Sequence, residues 1–161
     1  MAKGIFKTNA MRILEQKGVA YTPHEYPHKG NECVDGEHIV ELLGISAERV
    51  CKTLVTQGAS RAYYVFVLPV ANELDLKKAA TAVGEKSIAM IPVAQINAVT
   101  GYIRGGCSPL GMKKAFVTTL SHHAATQETI VVSAGKIGYQ MELTPADLIN
   151  AAEASVADIT L

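Results

Sequence analysis

Between Val50 and Val70 two apolar runs, VCKTLV and RAYYVFVLPV, flank Gln57-Gly58-Ala59-Ser60. Runs rich in β-branched and aromatic residues favour extended chain, and a short polar turn carrying glycine between them predicts a hairpin. One residue sits oddly in it. Lys52 alternates onto the same face as Val50 and Leu54, and a lysine is almost never fully buried without a partner. It is either an edge residue reaching water or a charge held in a pocket for use. Cys51 points to the opposite face, which favours core packing.

The remaining segments predict a mixed order of helices and strands. Thr8 caps a helix carrying Met11 and Leu14 that stops at Gly18, and VAYTPHEYPH reads as extended chain broken by Pro23 and Pro27. Asp35 or Gly36 opens a second helix closed by Gly44, and Ser46 caps one more turn. Asp75 caps LKKAATAVG. Pro92, at a first helical position, opens PVAQINAVTG, which Gly101 ends. AFVTTL predicts a strand, and ETIVVSAGKIGYQMEL a second hairpin turning through Gly135 and Gly138. Thr144-Pro145-Ala146-Asp147 resembles a capping box and starts the last helix. Strands and helices alternate without a βα rhythm, so the expected class is α+β, one domain over residues 1–161 with no linker or internal repeat.

With 161 residues the chain can bury about two-thirds of its unfolded surface. Hydrophobic residues at 48% and charged ones at 19% describe an ordinary globular protein. The N-terminal MAKGIFKTNAMRIL lacks a leader-like apolar core, and no stretch approaches the roughly 20 apolar residues of a membrane span. A cytoplasmic protein with no membrane partner is expected. Three scattered cysteines, Cys33, Cys51 and Cys107, form no CxxC pair and predict reduced thiols. Charge is balanced, with 15 basic and 15 acidic residues, but residues 1–114 carry net +4 and residues 115–161 net −4. Balance excludes a strong nonspecific grip on nucleic acid, which needs many neutralised phosphates.

The common catalytic signatures are missing: no GxSxG elbow, HExxH or P-loop occurs. The pair His122-His123 fits a surface loop. Placing His24 and His28 with Cys33 or Asp35 matches no zinc spacing, so neither metal nor cofactor is expected. Arg104 lies near Cys107, and a cation lowers a thiol pKa, so a nucleophilic Cys107 stays open against simple packing. The loop TGYIRGGCSPLG, Thr100 to Gly111, gathers four glycines and a Ser-Pro. It is either two successive turns or a main-chain cradle for a ligand. Arg104, Lys113 and Lys114 beside it suit phosphate or ribose, or form a solvated basic face.

In order, these pieces resemble the YbaK family. KT.L follows an E.V strand start; PV...LDLKK.A...G, TGY..GG.SPLG.KK, VS.GK.G...EL and DL come next, spanning Thr8 to Ile159. That family comprises free-standing aminoacyl-tRNA deacylases, typified by the Cys-tRNA(Pro) deacylase, and is similar to the editing domain of bacterial prolyl-tRNA synthetases. The resemblance implies a central mixed, partly barrel-like sheet flanked by helices. It implies hydrolysis of the ester between a wrong amino acid and tRNA(Pro), with prolyl-tRNA synthetase as a possible partner.

Residue by residue, the resemblance puts the pocket lysine at Lys52, followed by Thr53, and the orienting backbone glycine at Gly101, beside Tyr102. The pocket tyrosine falls on Tyr26 and the pocket serine on Ser133, while Gly105, Gly106, Ser108 and Pro109 shape the opposite wall. Gln140 stands where the family has an acid, Asp35 near an aromatic, and Cys107 in place of an aliphatic. An aminoacyl ester is already activated, so positioning and carbonyl polarisation supply much of the rate. Attack by the substrate's own cysteine thiol and attack by water remain alternatives. So do an Ala-tRNA(Pro) substrate and a noncatalytic binding module.

Overall fold

The computed structural model describes residues 7–30 and 32–161. The leader-free reading of the N-terminus falls partly on residues 1–6, outside those described.

The chain folds as one α+β domain. In order it forms α1 (Asn9–Gln16), β1 (Thr22–Glu25), α2 (Gly36–Leu43), β2 (Cys51–Gly58), β3 (Tyr63–Pro69), α3 (Leu76–Val83) and β4 (Ile88–Met90). A 3-10 turn, Val93–Gln95, leads into α4 (Ile96–Thr100), followed by β5 (Val117–Ser121), α5 (His122–Ala125), β6 (Ile130–Lys136), β7 (Tyr139–Leu143), α6 (Pro145–Ala152) and β8 (Ser155–Ala157).

Two sheets result, one ordered β1-β7-β6 and one ordered β4-β2-β3-β5-β8. β2 and β3 pair antiparallel over Cys51–Gln57, the expected hairpin, while β5 runs parallel to β3. The sheets meet where Val50 bridges Val131, whose N–H donates to Arg49 O at 2.9 Å. The strands separate beyond that bridge. The assembly therefore wraps part of the way round, and no closed barrel forms among the described residues.

β3 explains why its sequence is apolar without interruption: it is central and covered on both faces. Val65 and Val67 face a core with α1 (Met11, Leu14), Val132, Met141 and Leu148, whereas Phe66 and Leu68 face Ala79, Ala80, Ile88 and Ile159. Tyr26, Ile39, Val50 and Val131 form a third cluster at the junction of the sheets.

The capping residues act as read. Thr8, Asp35, Asp75 and Thr144 each accept from main-chain N–H groups of the following turn, and Gly44 and Gly84 close α2 and α3 in the left-handed region. Five details differ. Gly135 lies within β6, at an irregularity in its pairing with β7, and the second hairpin turns at Ile137-Gly138. Pro92 is extended (ψ 143°) and precedes the 3-10 turn instead of occupying a first helical position. The β2–β3 turn lies one step later than read, with Gly58 N–H donating to Ala62 O and Arg61 taking φ 79°. His122 and His123 belong to the short α5, capped by Ser121, rather than to a loop. β4 and β8, three residues each, carried no sequence signal of their own because neighbouring strands hold them. No helix among the described residues is long and apolar enough to cross a membrane.

Candidate active site

A cavity of about 460 Å³ opens where the two sheets part. One wall is Val50 to Val55. The others come from the start of α2 (Cys33 to Gly36, Ile39), from Met90, Ile91, Val93 and Ile96, from Arg104, Gly105 and Cys107, and from Ser133 and Gln140. The glycine loop, the second hairpin and the lysine strand, far apart in sequence, thus converge on one apolar hollow with few polar groups, the usual make-up of a small-ligand site.

Lys52 reaches this cavity from β2. It makes no ion pair within 4 Å among the described residues, and burial pulls its pKa below the ordinary 10.5, with Glu73 opposing at longer range. A desolvated ammonium without a close counter-ion is costly in an empty pocket and useful beside a carbonyl oxygen or phosphate. This decides between the two sequence readings of Lys52: it is pocket-lining and partly buried, not an edge residue in open solvent.

Two wall residues carry a buried polar atom without a hydrogen-bond partner, the Thr53 hydroxyl and Gln140 Oε1. Gln140 is 3% exposed, and its amide group lies near the Tyr26 hydroxyl, which is also without a partner. Ser133 also lines the cavity, with its Oγ accepting from Gly135 N–H at 3.1 Å. Tyr26 lies behind the wall. Its hydroxyl is buried and unpartnered, with Gly138 and Gln140 near it short of a hydrogen bond, and burial raises its pKa.

The glycine loop divides by function. Gly105 (φ 85°) is on the cavity wall, where an added Cβ would come within 2.8 Å of Cys33 Sγ. Gly106 packs instead against the turn of the second hairpin, its would-be Cβ 3.2 Å from Ile137 N. Tyr102 pins the loop by donating its hydroxyl to Leu110 O while its ring lies over Gly135. Ser108 is fully buried and accepts from Leu110 N–H at 3.2 Å, and Pro109 faces a separate groove near Ile13 and Ala151. Gly101 caps α4 at φ 87°, off the cavity wall, and its N–H is committed to Asn97 O at 2.8 Å. Of the residues singled out by sequence, Lys52, Thr53, Gly105, Ser133 and Gln140 therefore meet at the cavity. Tyr26, Gly101, Tyr102, Gly106, Ser108 and Pro109 support it from behind or beside.

Protein nucleophiles are poorly placed. Burial pushes the Cys107 thiol up to about 11 and Cys51 up to about 12, so both are protonated near neutrality, and Arg104 does not offset this for Cys107. His24 Nε2 lies 2.7 Å from Glu142 Oε1 and is not free to join Cys33 or Asp35 around a metal. Met90, Val93 and Ile96 escaped the sequence reading, since nothing local distinguishes them from ordinary surface apolar residues.

Residues 31–151 match the model of the aminoacyl-tRNA editing domain. A curated protein of Enterococcus faecalis, named "Putative Cys-tRNA(Pro)/Cys-tRNA(Cys) deacylase EbsC", is 46% identical over 154 residues, covering 96% of this chain and 93% of its own. Two solved structures share the fold. A "putative trans-editing enzyme for prolyl tRNA synthetase" superposes with TM-score 0.80 at 22% identity, covering 97% and 99% of the two chains. A hypothetical protein superposes with TM-score 0.84 at 19% identity, covering 93% and 97%.

Proposed function

The chain belongs to the aminoacyl-tRNA editing domain family, and from that premise we propose that it hydrolyses the ester of mischarged tRNA(Pro), with cysteinyl-tRNA(Pro) as its substrate. The observation that carries this reading is the cavity, where a partly desolvated Lys52 stands among Thr53, Gly105, Ser133 and Gln140 around a space sized for an aminoacyl group.

Lys52 polarises the ester carbonyl and stabilises the oxyanion that develops on it. Lys52 and Thr53 border the aminoacyl group on one wall, while Ser133, Gln140 and Gly105 bound the space its side chain occupies. The terminal nucleotide leaves the cavity past Arg104, whose charge suits its phosphate. No protein thiol is needed as nucleophile. The substrate's cysteine thiol adds to its own carbonyl, the bond to the ribose oxygen breaks, and the ribose hydroxyl departs with the thiol proton. Water then opens the resulting four-membered thiolactone to free cysteine. Holding that folded geometry is an orientation effect, which a rigid pocket supplies.

The balanced charge supports a second part of the reading: the enzyme, which we place in the cytoplasm, takes its tRNA selectivity from a complex with prolyl-tRNA synthetase. Release of amino acid from Cys-, Ala- and Pro-tRNA(Pro), with wild type and Lys52→Ala, tests the activity. Cysteinyl release that falls about 100-fold in Lys52→Ala, on the scale of losing one oxyanion-stabilising group, is the expected result. Alanyl release at the same rate would replace thiol attack by water, and no release from any ester would leave a binding module.

A further inference from the structure

The cavity wall includes six consecutive residues, Val50 to Val55. Successive side chains of a strand point to opposite faces, so one cavity can touch all six only by running along the strand's backbone edge. Hydrogen bonds show which main-chain groups face that edge. Val70 N–H donates to Val50 O at 2.8 Å and Gly58 N–H to Ala62 O at 2.9 Å, so the even-numbered residues of β2 turn their main chain toward β3. Ile91 N–H donates to Val55 O at 3.3 Å from the other side, so the odd-numbered residues turn theirs away. Pro69, which has no N–H, sits opposite Cys51, as a non-bonded pair permits.

Thr53 therefore directs both its N–H and its C=O at the cavity. β4 pairs only with Thr56, Gln57 and Gly58, and the bridge to β6 is at Val50, so among the described residues no strand covers Thr53 on that side. The Thr53 hydroxyl is unpartnered as well.

We propose that the open edge of β2 binds the aminoacyl group as a one-residue antiparallel strand, Thr53 N–H donating to the ester carbonyl oxygen and Thr53 C=O accepting from the α-ammonium. An α-aminoacyl ester has the donor and acceptor of one residue on one side, the pair that antiparallel partners exchange. This deepens the deacylase reading and rests on it. It supplies the main-chain donor that Gly101, spent on its helix cap, does not. It also explains how one edge holds any α-amino acid by its common atoms while Gln140 and Ser133 meet the side chain.

The edge is tested by Thr53→Pro, which deletes the N–H and the hydroxyl and holds the backbone extended, read against Thr53→Val, which deletes the hydroxyl only. Proline is tolerated where that N–H leaves the ladder, so the variant folds with a melting profile close to wild type. Its kcat/KM on cysteinyl-tRNA(Pro) falls roughly 100-fold, as for loss of one oxyanion donor, while Thr53→Val, which keeps the N–H, loses under about tenfold. Full activity in a folded Thr53→Pro overturns the proposal. So does failure of that variant to fold alongside a folded Thr53→Val, because the N–H would then belong to the β3 ladder. The amide NMR signal of Thr53 separates this from the deacylase reading: the non-hydrolysable 3′-cysteinylamido adenosine shifts it and slows its exchange. That shift without hydrolysis of any ester would retain the edge and reject the enzyme, and no shift on binding would reject the edge.

Discussion

At the scale of single residues, the role proposed for Lys52 sets function against stability. Its pKa is lowered, chiefly by burial, so the folded state disfavours the charged form at every pH below the folded value, and the penalty fades as pH rises toward 10.5. Lys52→Met keeps the stem length and removes the charge. It is expected to lose activity about 100-fold, as Lys52→Ala does, yet to melt higher than wild type at pH 7, with the gap closing as pH approaches 10.5. A lower melting point at pH 7 would mean that Glu73 pairs with the lysine more strongly than burial costs. Gly105 makes the opposite case. Alanine there meets an unfavourable φ of 85° and a sulfur at 2.8 Å, so Gly105→Ala should lower stability by about 1–3 kcal/mol in urea unfolding and reduce activity by displacing the wall.

At the scale of elements, the junction of the two sheets is held by a polar clamp as well as by the Val50–Val131 bridge. Glu142 on β7 receives His24 from β1, the Arg49 guanidinium from the approach to β2, and the Thr129 hydroxyl that precedes β6. These contacts hold its carboxyl below the ordinary 4.5, the Thr129 hydroxyl most strongly, then His24 and Arg49, while burial acts against them. A depressed carboxylate pKa gives stability that is present above 4.5 and is lost as pH falls through the folded value. Glu142→Gln should therefore cost about 1–3 kcal/mol at pH 7, from lost charged hydrogen bonds, and progressively less at acid pH. Urea midpoints measured from pH 7 down to pH 3 check both the size and the direction. None of this clamp was visible in sequence, because its members lie up to 118 positions apart. The helix caps were visible, because a cap and its N–H partner are two or three residues apart.

At the scale of the whole molecule, equal numbers of acids and bases limit how firmly it can hold RNA by charge alone. The salt dependence of kcat/KM on cysteinyl-tRNA(Pro) should be shallow, with a log–log slope no steeper than about −3, the release expected for some four single-strand phosphates. A steeper slope would mean an extended basic surface and would remove the reason to invoke a synthetase partner.

The sequence by itself determined the local pieces: caps, hairpins, the central β3 and an unusual lysine at Lys52. Each depends on propensity, on side-chain period or on partners within a turn. Its ordered motifs also fixed the family resemblance and, with it, the residues worth finding. Only the tertiary structure decided which of them share a cavity, that Gly101 spends its N–H on a helix end, and that the edge of β2 lies open beside Thr53. Those are relations between segments distant in the chain, fixed by how sheets pack and where strands stop pairing, and no local pattern encodes where a partner is absent.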